Sequence, residues 1–198
     1  MKVDPDIITV VSGLPRSGTS MMMSMLAAGG MPVLTDSLRA ADEDNPKGYF
    51  ELERVKQLDK DSSWLAEARG KVVKIVSPLL KHLPAEYRYR IIFMHRNMEE
   101  ILASQKQMLI RRGEPTDTVS DQKMAEMFRK HLFDVESWLG KQPNIKVCYV
   151  DYSRVLEGPL RYADIVDRFL GSELDTSKMA KVADQALHRQ RFTPPIQY

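Results

Sequence analysis

A single cysteine among 198 residues, Cys148, has no thiol to pair with inside the chain and excludes a multi-cysteine metal centre. Charge of one sign is also scarce. With 29 Lys and Arg against 27 Asp and Glu, the formal net charge of +2 gives the whole chain no nucleic-acid footprint. No apolar run approaches the roughly 18 residues that a membrane-spanning helix requires. The opening Met1-Lys2-Val3-Asp4-Pro5-Asp6 is charged and unlike a signal peptide, so the expectation is a cytoplasmic protein without a membrane span. Internal repeats and low-complexity segments are absent. What is there, 43% hydrophobic residues, is enough to bury a substantial core, and the chain reads as one domain over residues 1–198.

The most informative absence is a lysine. Ile7-Ile8-Thr9-Val10-Val11 has the β-branched, apolar composition of a strand buried on both faces. Met21 to Ala28 is helix-forming and stops at Gly29-Gly30. Between them lies Gly13-Leu14-Pro15-Arg16-Ser17-Gly18-Thr19-Ser20, and strand, glycine-bracketed loop and helix in that order surround a concavity with backbone N–H groups and a helix N-terminus. That is an anion cradle. Gly13 and Gly18 have the Walker A separation, but Thr19 stands where the lysine belongs, and the cation of the loop is Arg16. A guanidinium grips an oxyanion through two N–H bonds. The variant argues against a standard ATPase or GTPase and for another anionic nucleotide.

Further along, Met31–Thr35 is a candidate second strand, with Pro32 suggesting an edge. Residues 36–70 turn polar, and Asp44-Asn45-Pro46-Lys47-Gly48 has turn composition. Leu52, Val55 and Leu58 suggest a helix over 51–61. Lys71–Val76 and Arg90–Met94 read as strands. The second runs into His95-Arg96-Asn97, where Asn97 is a good cap for a helix over 98–112 that places Ile101, Leu102, Met108 and Leu109 on one face. A long helix over 119–139 carries the stripe Met124, Met127, Phe128, Leu132, Val135 and Leu139. Ile145–Val150 is the last strand and delivers Asp151. Pro159 and Gly171 bracket a helix over 159–170, and a final helix covers 177–187. The alternation implies a mainly parallel sheet with helices on both faces.

Arg96 ends a strand at the usual ligand edge of such a sheet, and Ser104 lies eight residues on, about two helical turns away and leaning back toward it. Both can meet one anion along the helix. With Arg16, the chain offers two separate anion sites on one sheet edge.

The Arg16 loop resembles the 5′-phosphosulfate loop of sulfotransferases, and Arg96 with Ser104 resembles their 3′-phosphate site in residue type and spacing. Asn45-Pro46-Lys47-Gly48-Tyr49-Phe50-Glu51 is similar to bacterial-type members, as is Tyr149 to Leu156 to the family's segment after its last strand. The resemblance covers most of the chain. It implies a three-layer α/β sandwich of the P-loop-NTPase-like sulfotransferase fold. It also implies sulfuryl transfer, without a metal, from 3′-phosphoadenosine 5′-phosphosulfate (PAPS) to a hydroxyl or amine of a small-molecule or glycan acceptor. Arg16, Ser17, Gly18, Thr19 and Ser20 would take the 5′ end of the nucleotide, and Arg96 and Ser104 its 3′-phosphate.

Departures from the family are as telling. Cytosolic members carry Lys-Thr-His after the strand that matches Lys71–Val76, with the histidine as general base. Here Lys74-Ile75-Val76 keeps the lysine and places Val76 at the histidine. Glu51 is the candidate replacement, since other branches use glutamate, and Lys74 is the candidate for steadying the leaving oxygen. The family's C-terminal Arg-Lys-Gly is missing, with Arg189 and Arg191 as candidate substitutes. His82 is a weaker candidate; His95, His131 and Cys148 read as structural and His188 as exposed. Two rival readings stay open: a nucleotide-binding or regulatory module without chemistry, and a kinase in which Asp151 holds Mg²⁺ at the end of a Walker B-like strand.

Overall fold

The structure is a computed structural model that describes residues 4–36, 48, 50–171 and 173–183. Four parallel strands form its sheet: β1 (Ile7–Gly13), β2 (Val72–Lys74), β3 (Arg88–His95) and β4 (Ile145–Asp151), in the order β2-β1-β3-β4. Every residue of β1 is buried, as its mainly apolar, β-branched composition suits a strand covered on both faces. The chain leaves β1 toward β2 on one side and β3 toward β4 on the other. The crevice beyond the carboxyl ends of β1 and β3 is therefore the topological switch point of the sheet. Register fixes what meets there: Gly13 is paired with Met94, two residues before Arg96.

Two cores flank the sheet. On one face α1 (Thr19–Ala28) packs with α4 (Tyr152–Glu157), α5 (Pro159–Leu170) and α6 (Thr176–Val182), joining Met22, Met23, Leu26, Val155, Val166 and Met179 to Val11 and Ile92. On the other face Trp64, Leu65, Leu80 and Leu139 close over Ile8, Val10, Ile91 and Phe93. Helical layers on both sides of a parallel sheet make the expected three-layer α/β architecture. Asn97 accepts a hydrogen bond from the Glu100 N–H at the start of α2 (Met98–Arg112), and Gly171 ends α5 in the left-handed region at φ 57°.

Several elements differ from their sequence-based expectation. The expected strand 31–35 is a single bridge, Val33 to Val72. The expected helix 51–61 is a 3₁₀ turn, Glu53–Gln57, followed by a second at Ser63–Ala68. Leu52, Val55 and Leu58 are all buried nonetheless, because a repeat of three residues is the 3₁₀ period and not the α period. Strand β2 is confined to Val72–Lys74, and Ser77–His82 after it is another 3₁₀ segment. The buried side of α2 is Glu100, Ile101 and Ser104, while Leu102, Met108 and Leu109 are only partly covered.

α3 (Asp121–Leu139) is less covered than its apolar stripe suggests. Leu132, Val135 and Leu139 reach the core, whereas Met127 is 55% exposed. α6 ends at Val182, and residues 184–187 of the expected last helix lie outside the described residues. No helix among the described residues is long and apolar enough to cross a membrane.

This burial map predicts unequal costs of truncation. Ile91→Ala, in the centre of β3, should lower the unfolding free energy by about 2–5 kcal/mol. Phe133→Ser, at a position 72% exposed on α3, should change it by less than about 0.5 kcal/mol. Urea unfolding of the two variants checks the contrast.

Candidate functional site

The loop after β1 is shaped by two glycines and one strained arginine. An ideal Cβ at Gly13 (φ 146°) would stand 2.6 Å from the Met94 carbonyl, and one at Gly18 (φ 97°) would run into the Tyr152 ring. Only glycine fits either position. Ser17 donates both its hydroxyl (2.7 Å) and its N–H (3.2 Å) to the Leu14 carbonyl, so its donors close the loop on itself. Arg16 has φ 70°, the left-handed region, which costs a non-glycine residue about 1–3 kcal/mol unless its surroundings enforce it. α1 begins immediately after this loop, with no side-chain cap and no acidic residue in its first turn. Its N-terminus is therefore open to an external anion.

Arg16, Arg96 and Ser104, the residues expected to serve two anion sites on one sheet edge, are hydrogen-bonded to one another. Arg16 Nε donates to Ser104 Oγ at 2.9 Å, and Arg96 Nη1 donates to the Arg16 carbonyl at 3.0 Å. The cause is topological. With β1 and β3 adjacent, α2 starts beside the Arg16 loop, and the left-handed turn at Arg16 sends its side chain toward α2. Ser104 thus meets Arg16 as well as facing the Arg96 end of the helix.

Two residues in this cluster had a weak sequence signal or none. Glu100, one helical turn beyond Arg96, accepts from Arg96 Nε at 2.8 Å, with both side chains less than 10% exposed. The i, i+4 spacing is the signal that could have found it. Tyr152, 6% exposed, lies under the Arg96 guanidinium with 4.5 Å between Cζ and the ring centroid. It follows Asp151 directly, so its place at the strand end was the only pointer.

A second group gathers at the carboxyl end of β2. Lys74 Nζ lies 3.6 Å from Glu51 Oε1 and 3.5 Å from Ser20 Oγ, with Lys74 nearly buried and Glu51 one-third exposed. The Glu51 carbonyl accepts from Thr35 Oγ1 (2.7 Å) and from the Asp36 N–H, which fixes the segment beside β2. Phe50, just before it, is at φ 51°. It and Arg16 are the two non-glycine residues with positive φ among those described, and they flank the two halves of the site.

The remaining candidates take structural positions. His131 Nε2 lies 2.8 Å from Ser77 Oγ, linking α3 to the segment after β2, and burial pushes its pKa below the ordinary histidine value despite the opposing pull of Asp134. His95 Nε2 lies 3.1 Å from Glu136 Oε1, and its ring packs edge-on to Phe93 and tilted against Tyr149. His82 is partly exposed. Asp151 accepts from the Arg154 N–H and the Ser153 hydroxyl, so it serves as the cap of α4. Cys148 is half-buried, which pushes its thiol pKa up. Asn45, Pro46, Lys47, Tyr49, His188, Arg189 and Arg191 lie outside the described residues.

A family model described as a sulfotransferase domain matches residues 4–192. The chain belongs to the sulfotransferase domain family. Its fold resembles several solved sulfotransferases. One is STF1 from Mycobacterium tuberculosis, with a TM-score of 0.58 and 19% identity over 96% of this chain and 73% of that one. Another is the sulfotransferase domain of the Synechococcus PCC 7002 olefin synthase, at 0.57 and 14% over 98% and 90%. A third is mouse SULT7A1, whose structure is complexed with PAP, at 0.50 and 18% over 92%. At such identities the likeness concerns the fold, and this chain spans 64% of the mouse protein's structure. No curated protein matches the sequence.

Two outcomes follow from this geometry. Gly18→Ala should displace the Tyr152 ring from Arg96 and lower stability by about 1–3 kcal/mol, read as a lower Tm. For His131, the folded pKa is depressed, so the unfolded chain binds the extra proton first. Stability should therefore fall as pH drops below about 6.5 and level off once the folded pKa is passed. His131→Gln should flatten that segment of the stability profile relative to the parent.

Proposed function

We propose that the chain, acting as one unit over residues 1–198, is a sulfotransferase that uses PAPS and sulfates a hydroxyl or amine of a small-molecule or glycan acceptor. The observation that carries this reading is the meeting of Arg16, Arg96 and Ser104 at the crevice between β1 and β3, in a chain of the sulfotransferase domain family. The mouse neighbour's complex with PAP supports the choice of nucleotide. The residues present suit such a group: two guanidiniums, two hydroxyls and an uncapped helix N-terminus are all donors or cations.

When bound, PAPS supplies the sulfuryl group and its own leaving phosphate. Gly18, Thr19 and Ser20 offer backbone N–H groups and hydroxyls at the start of α1, while Ser17 holds the loop in shape and Arg16 adds the positive charge. Arg96 and Ser104 would hold the 3′-phosphate. Lys74, poised at Ser20, would donate an N–H toward the leaving oxygen of the nucleotide. Glu51, beside Lys74, would take the proton from the acceptor hydroxyl or amine as that atom bonds to sulfur. Most of the rate enhancement in such a site is positioning and charge stabilisation, which fixed donors provide. Val76 at the position of the family histidine favours a second reading, a nucleotide-binding module without turnover.

Calorimetric titration with PAP, against ADP with and without Mg²⁺, tests the first reading. PAP should bind independently of magnesium and more tightly than ADP, and a preference for Mg-ADP would sink the proposal. Arg96→Ala should weaken PAP about ten- to a hundredfold, the range for hydrogen bonds to a charged group. With an acceptor in hand, Glu51→Gln should abolish turnover and spare PAP binding. Unchanged turnover would remove Glu51 as the base.

A further inference from the structure

We propose that Glu100 is a resident counter-anion of the Arg96 site, a positioning residue that sets how tightly the 3′-phosphate of the nucleotide is held and how fast it leaves. This rests on the sulfotransferase reading above. The Arg96 and Glu100 side chains are only 8% and 6% exposed, and the Nε to Oε2 distance is 2.8 Å. Glu100 lies in the first turn of α2, where its N–H is held by Asn97 and the helix dipole favours its negative charge. Together with the Arg16 carbonyl on Nη1 and the Tyr152 ring against the guanidinium plane, it pins Arg96 on three sides before any ligand arrives.

That arrangement has two consequences of opposite sign. A guanidinium already held in place loses little freedom on binding, which favours affinity. A buried carboxylate in contact with that same guanidinium repels an incoming phosphate, with little water nearby to screen the repulsion, and this opposes affinity. The two are separable, because glutamine keeps the acceptor oxygen and the shape while removing the charge. A purely structural Glu100 gives equal or weaker binding when replaced by Gln. A counter-anion gives tighter binding. The kinetic use is product departure: PAP keeps the 3′-phosphate that PAPS arrives with, so a site that grips this group hard retains its product.

The test compares the full chain with Glu100→Gln by calorimetry and by stopped-flow displacement. The probes are PAP, adenosine 5′-phosphate, which lacks the 3′-phosphate, and inorganic phosphate. The expected result is PAP held about tenfold tighter in Glu100→Gln with a correspondingly slower off-rate, while adenosine 5′-phosphate changes less than twofold. Unchanged or weaker PAP binding in Glu100→Gln overturns the proposal and leaves the sulfotransferase reading standing. If the parent does not bind PAP, that reading falls, and phosphate decides for Glu100: tighter binding in the variant upholds the counter-anion, equal or weaker binding overturns it. No binding of either anion to parent or variant removes the proposal as well. Glu100→Asp, which keeps the charge, guards against a variant that folds poorly; tighter PAP binding by Glu100→Asp would also overturn the idea.

Discussion

The guanidinium of Arg96 is the joint on which the carboxyl edge of this sheet depends. Its Nη1 holds the carbonyl of Arg16, its Nε holds Glu100 and its face rests on Tyr152, so one side chain ties the loop after β1 to the starts of α2 and α4. Of these partners only Glu100 is near Arg96 in sequence. What brings them together is the pairing of β1 with β3, which sets Gly13 beside Met94 and makes two strand ends into neighbours. The buried charge is tolerable because it is paired and hydrogen-bonded; removing one partner would leave the other uncompensated.

That joint also explains where strain is held. Arg16 and Phe50 adopt backbone angles that glycine would take at no cost, and each is fixed by surroundings formed for other reasons. Arg16 is held at both ends, by Arg96 on its carbonyl and by Ser104 on its side chain. Phe50 packs against the core on the α1 face, next to the Glu51 carbonyl that Thr35 and Asp36 hold. Rigid strands with strained connections at one edge are the general means of aiming a few side chains at a common point.

The elements whose signals are local were legible in the sequence. β1, α1 and α5 follow from apolar runs and glycine or proline punctuation, and Asn97 caps α2 as its residue type implies. The position of Arg96 at a strand end was equally readable. The errors came from tertiary facts. Leu52, Val55 and Leu58 suggest an α-helix, but their three-residue repeat is the 3₁₀ period, and all three join the core that holds Trp64 and Leu80. Met31–Thr35 has strand composition but one bridge, because β2 offers it only Val72. The stripe of α3 overstates burial because only part of the helix lies over the sheet. In the site, single residues were found and their connections were not. Spacing suggests that Arg96 and Ser104 share an anion, whereas the positive φ of Arg16, invisible in a sequence, brings a second guanidinium to that serine.

Strand order then divides the site into two halves. β2 lies on one side of β1 and β3 on the other, so Lys74 with Glu51 and Arg96 with Ser104 flank the Arg16 loop and do not mix. The half at β3 is nearly closed to solvent, with its guanidinium fixed on three sides, as suits the recognition of one constant group. The half at β2 is more open, with Glu51 one-third exposed and Val76 40% exposed beyond it, as suits an acceptor that must enter, react and leave. A histidine base needs a neighbour to set its tautomer, while a carboxylate accepts at either oxygen and needs none. On the proposed mechanism, the pairing of Glu51 with Lys74 is therefore a self-contained alternative to the residue that Val76 replaces, and it would place the proton acceptor and the leaving-group cation on one side of the sheet, within reach of a single substrate.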